Sequence, residues 1–297
     1  MTISVAFVTK SYAPDLERCE LLCRSIEQLA PGTRHWIIVD SRDFAAFRGL
    51  ENATTRIVMT EELLPRRVRK FEVYGTGKNI WLGVRTPPIR GWLVQQLAKF
   101  AIAFVAEQDV LVHADSDIVL IRPFRDAMLT DENGSVRLFR IPGTIGEELP
   151  GHVRWHRTAE QLLGIPPRPV PLPDYISGLV PWRRDIAVSL LEQIEARSGR
   201  DWMRTLARAQ HISEYVLYGR FVEDALDRSN GRPGDSVSLC RCYWGSEPLT
   251  NEELEAFIGE ASPEEVAVMV SAKAGMRPAD YAEVLERRWA GLERSAS

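Results

Sequence analysis

Two aspartates at the end of an apolar run pose the first chemical question. In Asp109-Val-Leu-Val-His-Ala-Asp115-Ser-Asp117-Ile-Val-Leu, Asp115 and Asp117 are two residues apart, so on an extended backbone their carboxylates project to the same side. Two carboxylates so placed suit a hard divalent cation, Mg²⁺ or Mn²⁺, which keeps open positions for phosphate oxygens. The spacing alone recurs by chance about once in a chain of this composition. Its place carries the reading, because ligands of open α/β sheets sit just past the carboxyl ends of strands. Around this pair stand further groups able to do chemistry. Trp92, Gln95, Gln96 and Lys99 share one stripe of the helical pattern Gly91 to Val105, and amides with one lysine suit a diphosphate. Glu214 opens a helix, where the dipole is also a sufficient structural reason for a carboxylate. His152 and His156, one turn apart, face substrate or pack, since the companion of a His-Glu-x-x-His motif is lacking.

These groups need a scaffold, and its pattern is readable. Ile3 to Val8 reads as a strand, Asp15 to Leu29 as a helix, and His35 to Val39 as a second strand, a β-α-β opening that calls for a parallel sheet. Thr9-Lys10-Ser11-Tyr12 and Asp40 then fall at neighbouring strand ends, a place for a base and ribose, unless Asp40 simply caps the next helix. Arg66 to Pro88, rich in Arg, Gly and Pro, is expected to be irregular, and its Gly77-Lys78 lacks P-loop spacing. Val136 to Ile141 and Val237 to Tyr243 read as strands, while Tyr175 to Trp182 is an apolar element whose Gly178 lets a ligand or another strand approach. The tail is punctuated for helices by the capping box Thr250-x-x-Glu253 and by Ser262-Pro263. Lys273 either reaches a phosphate or is solvated.

Composition excludes several classes. A net charge of −4 offers no general basic face, so nucleic acid is not an expected partner. No apolar run approaches a membrane span and no signal pattern follows Met1, so a cytoplasmic enzyme is expected. Cys19, Cys23, Cys240 and Cys242 lack knuckle spacing; a four-thiolate zinc site is conceivable, and reduced structural thiols are favoured.

The chain also resembles a known class. Gly91-Trp92-x-x-Gln95-Gln96-x-x-Lys99 followed by the strand and Asp115-Ser-Asp117 resembles GT-A-type glycosyltransferases. With Lys10-Ser11-Tyr12, Arg122-Pro-Phe124, Trp155-His156, Leu162-Leu-Gly164 and Ser213-Glu214-Tyr215-x-x-Tyr218-Gly219, it is similar over residues 3–225 to bacterial GT-A-like proteins of unknown function. The resemblance implies a mixed, mainly parallel α/β sheet flanked by helices in one domain. Its parts would be a nucleotide-sugar half (1–125), an acceptor half (126–245) and a carboxyl-terminal helical segment (246–297). It implies a nucleotide-sugar donor, a UDP-sugar first, with Mn²⁺ or Mg²⁺ at Asp115 and Asp117, and an acceptor that is a small molecule or a glycan. Ser116 and Lys273 would contact the donor, Tyr175, Ser177 and Gly178 would line the acceptor side, and Glu214 would be the base of an inverting reaction. One departure stands out: no His follows His211 to give the third metal ligand common in the class, and Ser271 and Lys273 would contact the diphosphate instead. Two rival readings remain. A haloacid-dehalogenase-like phosphatase would use Asp115 as nucleophile with Asp117 and a later pair at Asp224 and Asp227; a non-catalytic relative would bind nucleotide or glycan without turnover.

Overall fold

The computed structural model describes residues 3–65, 68–73, 78–83, 86–131, 134–226 and 238–296. Arg66 and Arg67 of the basic run, residues 74–77, Asp227 and Val237 lie outside them. Five strands form the main sheet in the order Leu179–Arg183, Val110–Ala114, Val5–Lys10, Arg34–Val39, Thr55–Met59. The last four run parallel and Leu179–Arg183 antiparallel to its neighbour, so the mixed, mainly parallel sheet expected from sequence is the architecture found.

Alternation along the strands sends successive side chains to opposite faces of the sheet, as a two-residue side-chain period requires. Val5, Phe7, Val110 and Val112 face one cluster with Leu22 and Ile26 of the helix Leu16–Leu29. Ala6, Val8 and Leu111 face the other, with Leu97 and Phe100 of the helix Gly91–Ala101 and Leu190 of Arg184–Ser198.

A second, three-stranded sheet orders Cys240–Tyr243, Ala267–Val270 and Ile118–Leu120. Asp115-Ser116-Asp117 is therefore the crossing where the chain leaves the main sheet and enters the smaller one. The backbone there is pinned: the Ile118 N–H donates to Asp115 O at 3.2 Å and the Val270 N–H to Asp117 O at 3.2 Å. Segment 246–297 thus supplies a strand, Ala267–Val270, as well as the helices Asn251–Gly259 and Pro278–Ala296.

Two expectations need correction. The stretch from Arg66 to Pro88 is not simply irregular: Val68–Val73 and Lys78–Gly83 pair antiparallel. Val68 and Trp81 turn inward to join the core beside Ile89, and that burial outweighs the turn-rich composition. The strand expected over Val136 to Ile141 begins where that stretch ends. Ile141–Ile145 pairs with Leu172–Asp174, and Val136 makes only an isolated bridge to Thr130.

Candidate active site

At the carboxyl ends of the parallel strands lies a cavity of about 710 Å³. Its walls include Lys10, Tyr12, Gln95, Gln96, Lys99, Asp115, Ser116, Asp117, His152, Glu214 and Lys273, residues drawn from one end of the chain to the other and each singled out from sequence.

The helix Gly91–Ala101 organises the floor. Its apolar residues Leu93, Val94 and Leu97 turn into the core, so the interleaved stripe faces the cavity. Lys99 is only 6% exposed, and its ammonium donates to Asp115 Oδ1 at 2.9 Å, Glu214 Oε1 at 3.0 Å and the Tyr215 hydroxyl at 3.0 Å. Burial alone would lower its pKa, but the surrounding Asp115, Tyr215 and Glu214 hold it well above the usual range, so Lys99 remains a cation. Ser213 caps the helix Glu214–Arg220 through its Oγ, which accepts from the Val216 N–H at 3.4 Å. The Glu214 N–H donates to Gln96 Oε1 at 3.1 Å, fixing the amide so that Gln96 Nε2 has no hydrogen-bond partner among the described residues although the residue is buried.

The paired carboxylates differ. Asp115 keeps 55% of its side chain exposed and is tied to Lys99. Asp117 is partly covered and accepts from the Ala272 N–H at 3.2 Å. Burial first, and then the neighbouring Asp115 charge, push its carboxyl up to about 6, because both disfavour the charged form. Among the described residues no group of three or more His, Cys, Asp or Glu side chains is placed to hold a metal. Two carboxylates opening into a cavity nevertheless fit Mg²⁺ or Mn²⁺, whose other positions are commonly filled by phosphate oxygens and water.

Other proposed residues lie behind this surface. Asp40 accepts from Lys10 Nζ at 3.1 Å, from the Thr60 hydroxyl at 2.9 Å and from Lys70. Burial alone would raise its carboxyl, but the two lysines bring it below the usual range. It positions Lys10, which does line the cavity. Thr9 is fully buried against His35 Nε2 at 2.9 Å, and Ser11 is buried as well; neither lines the cavity.

The residues expected on the acceptor side divide between the cavity and the interior. His152 reaches the cavity, but His156 is buried beneath it, 3.4 Å from Arg220. Burial and then the Arg220 charge push its imidazole down to about 4. Tyr175 is buried too, and its hydroxyl donates to Glu223 Oε2 at 2.7 Å. Gly178 is required by packing: a Cβ there would stand 2.5 Å from Cys240 Sγ and 3.2 Å from Cys242 Sγ. Of the two approaches its sequence allowed, it is the neighbouring strand that comes close, and buried Ser177 shares that position outside the cavity lining. Cys19 and Cys23 pack in a different cluster from Cys240, so the two thiol pairs do not form one four-thiolate site. Asp224, the acid of the phosphatase reading, is engaged by Arg220 at 2.6 Å and by Arg168.

Sequence reasoning missed Tyr215, Trp155, Asp174 and Ile176 as parts of the cavity. Each had a nearby signal: Tyr215 adjoins Glu214, Trp155 follows His152 by one helical turn, Ile176 lies inside the stretch Tyr175 to Gly178 expected on the acceptor side, and Asp174 adjoins that stretch.

Sheet and cavity together define an α/β protein with a cavity at its strand ends lined by acidic and basic side chains. The chain belongs to the family of unknown function DUF6492, whose model matches residues 1–265. No curated protein matches it. Among solved structures, galactosyltransferase LgtC in complex with donor and acceptor sugar analogs is similar at 11% identity over 97% of this chain and 96% of that one, with a TM-score of 0.46. The apo structure of the bifunctional glycosyltransferase WbbM is similar at 10% identity over 98% of this chain and 50% of that one, again with a TM-score of 0.46. Likeness at this level assigns no role to any residue here.

Proposed function

We propose that the protein is a metal-assisted glycosyltransferase that moves a sugar from a nucleotide-sugar donor to an acceptor hydroxyl. The observation that supports this is the meeting of Asp115 and Asp117 with Lys10, Lys99, Lys273 and Glu214 around one cavity at the carboxyl ends of parallel strands.

Asp115 and Asp117 would hold Mn²⁺ or Mg²⁺, which when bound neutralises charge developing on the departing nucleoside diphosphate. Lys273 and Lys10 supply cationic donors to phosphate oxygens, while Lys99 fixes Asp115 and Glu214 in one geometry. In the transfer, the acceptor oxygen bonds to the anomeric carbon as that carbon's bond to the diphosphate oxygen breaks. The electron pair leaves with the diphosphate, and the hydroxyl proton passes to Glu214. This assigns inversion, and UDP-sugars are the first donors to test.

The reading is checked by thermal unfolding of the purified protein with UDP, GDP, CDP or TDP, each with and without Mn²⁺, because a ligand that binds only the folded state raises the midpoint. One diphosphate is expected to give a metal-dependent shift; none doing so sinks the assignment. With donor and acceptor in hand, Glu214→Gln should lower kcat by at least about 10²-fold, with donor KM little changed. Unaltered kcat in that variant would remove the base and the inverting outcome with it.

A further inference from the structure

The cavity has a wall that the donor chemistry leaves unused. Trp92 and Trp155 stack at 5.8 Å with their planes 26° apart, and His152 meets Trp155 edge-on at 4.4 Å. The wall comes from two helices, Gly91–Ala101 and Pro150–Leu163, and Trp92 keeps 47% of its surface exposed. Packing does not account for this, since Leu93, Val94 and Leu97 already fill the core side of the first helix. Asp174 and Gln95 also line the cavity, so the aromatic surface is fringed by a carboxylate, an imidazole and an amide.

Distance along the helix sets what fits. Trp92 and Lys99 are seven residues apart on one side of the helix, about 10 Å along its axis, and Lys99 is bonded to Asp115. The wall and the carboxylates thus share one cavity of about 710 Å³ but are held by residues about two turns apart on the helix, which leaves room for a sugar ring beside the carboxylates. A pyranose has an apolar C–H face and a rim of hydroxyls, and it matches the electron-rich face of an indole edged by polar acceptors and donors. A flat protein partner would not enter such a concavity.

We propose that this wall is a carbohydrate subsite for the acceptor, with a pyranose ring stacked on Trp92 and its hydroxyls met by Asp174, His152 and Gln95. As an acceptor site it rests on the transferase reading; as a pyranose site it stands on the wall's own chemistry.

The test titrates wild type, Trp92→Ala and Trp92→Phe with methyl and octyl pyranosides of glucose, galactose, mannose and N-acetylglucosamine, using ligand-observed NMR and calorimetry. Uridine and guanosine serve as base controls, and nucleoside diphosphate with Mn²⁺ is measured in parallel. At least one pyranoside is expected to bind wild type and to lose about tenfold or more in Trp92→Ala. Trp92→Phe should recover part of that loss, and diphosphate affinity should hold within about twofold. The idea is overturned if no pyranoside binds wild type, if binding survives Trp92→Ala, or if it is the nucleosides that depend on Trp92. Pyranoside binding that needs Trp92 in a protein that binds no diphosphate removes the transferase reading and keeps the subsite. Octyl glycosides binding more tightly than methyl ones assign a lipid-linked acceptor; equal binding assigns a free glycan.

Discussion

Asp117→Asn is expected to abolish the Mn²⁺-dependent stabilisation by nucleoside diphosphate while raising the stability of the ligand-free protein at pH 7. The first effect follows from the donor set. Without Asp117 the pair is reduced to Asp115, which already accepts from the Lys99 ammonium at 2.9 Å, and one shared carboxylate is a poor ligand for a divalent ion. The second follows from the carboxyl's value near 6, above the 3.8 of a free aspartate. The folded state thus holds that proton more tightly than the unfolded chain. Its contribution is fully present below about pH 4, is lost as pH rises through about 6, and stays lost at neutral pH. Two units correspond to about 3 kcal/mol, and partial solvation of Asp117 reduces the gain to about 1–2 kcal/mol. Asn keeps an oxygen for the Ala272 N–H, so the turn should survive. Thermal unfolding with and without UDP or GDP and Mn²⁺ reads both effects. An undiminished metal-dependent shift would remove the metal assignment, and a less stable ligand-free variant would show that burial and the Asp115 charge do not penalise the Asp117 carboxylate.

That trade of stability for a charged site explains which parts were legible in the sequence. Asp115 and Asp117 could be read because an apolar strand precedes them, and Lys99 because its helix interleaves two patterns that must face opposite ways. The stripe of Gln96 and Lys99 is nonetheless buried, where periodicity alone would have left it in solvent, because Glu214 and Tyr215 close over it. His156 was open to a substrate-facing or a packing role from its one-turn spacing with His152, and Tyr175 stood on the acceptor side only through the resemblance. Their partners Arg220 and Glu223 lie in a distant segment, and nothing in the sequence pairs them. Gly178 shows the same limit: the need for close approach was readable, but the approaching group, Cys240 Sγ, was not.

Arg220→Met should destabilise the fold by about 3–5 kcal/mol, the usual cost of stripping one partner from a buried ionic cluster. Arg220 is fully buried and donates to Glu160 Oε1 at 2.9 Å and Asp224 Oδ2 at 2.6 Å, with His156 Nδ1 at 3.4 Å. Glu160 would keep Arg157 at 2.9 Å and the Arg168 N–H at 2.9 Å, and Asp224 would keep Arg168, which favours the lower end. Urea unfolding monitored by fluorescence measures it, and a loss under about 1 kcal/mol would show that the residual arginines suffice. The consequence reaches the cavity. Glu160 and His156 sit on one side of the helix Pro150–Leu163, which carries His152 and Trp155 into the cavity wall. Arg220 ends the helix that begins at Glu214. The cluster therefore sets the distance between the aromatic wall and the carboxylate, and a well-folded Arg220→Met protein should lose pyranoside affinity while its metal-dependent diphosphate binding, built on strand ends, persists.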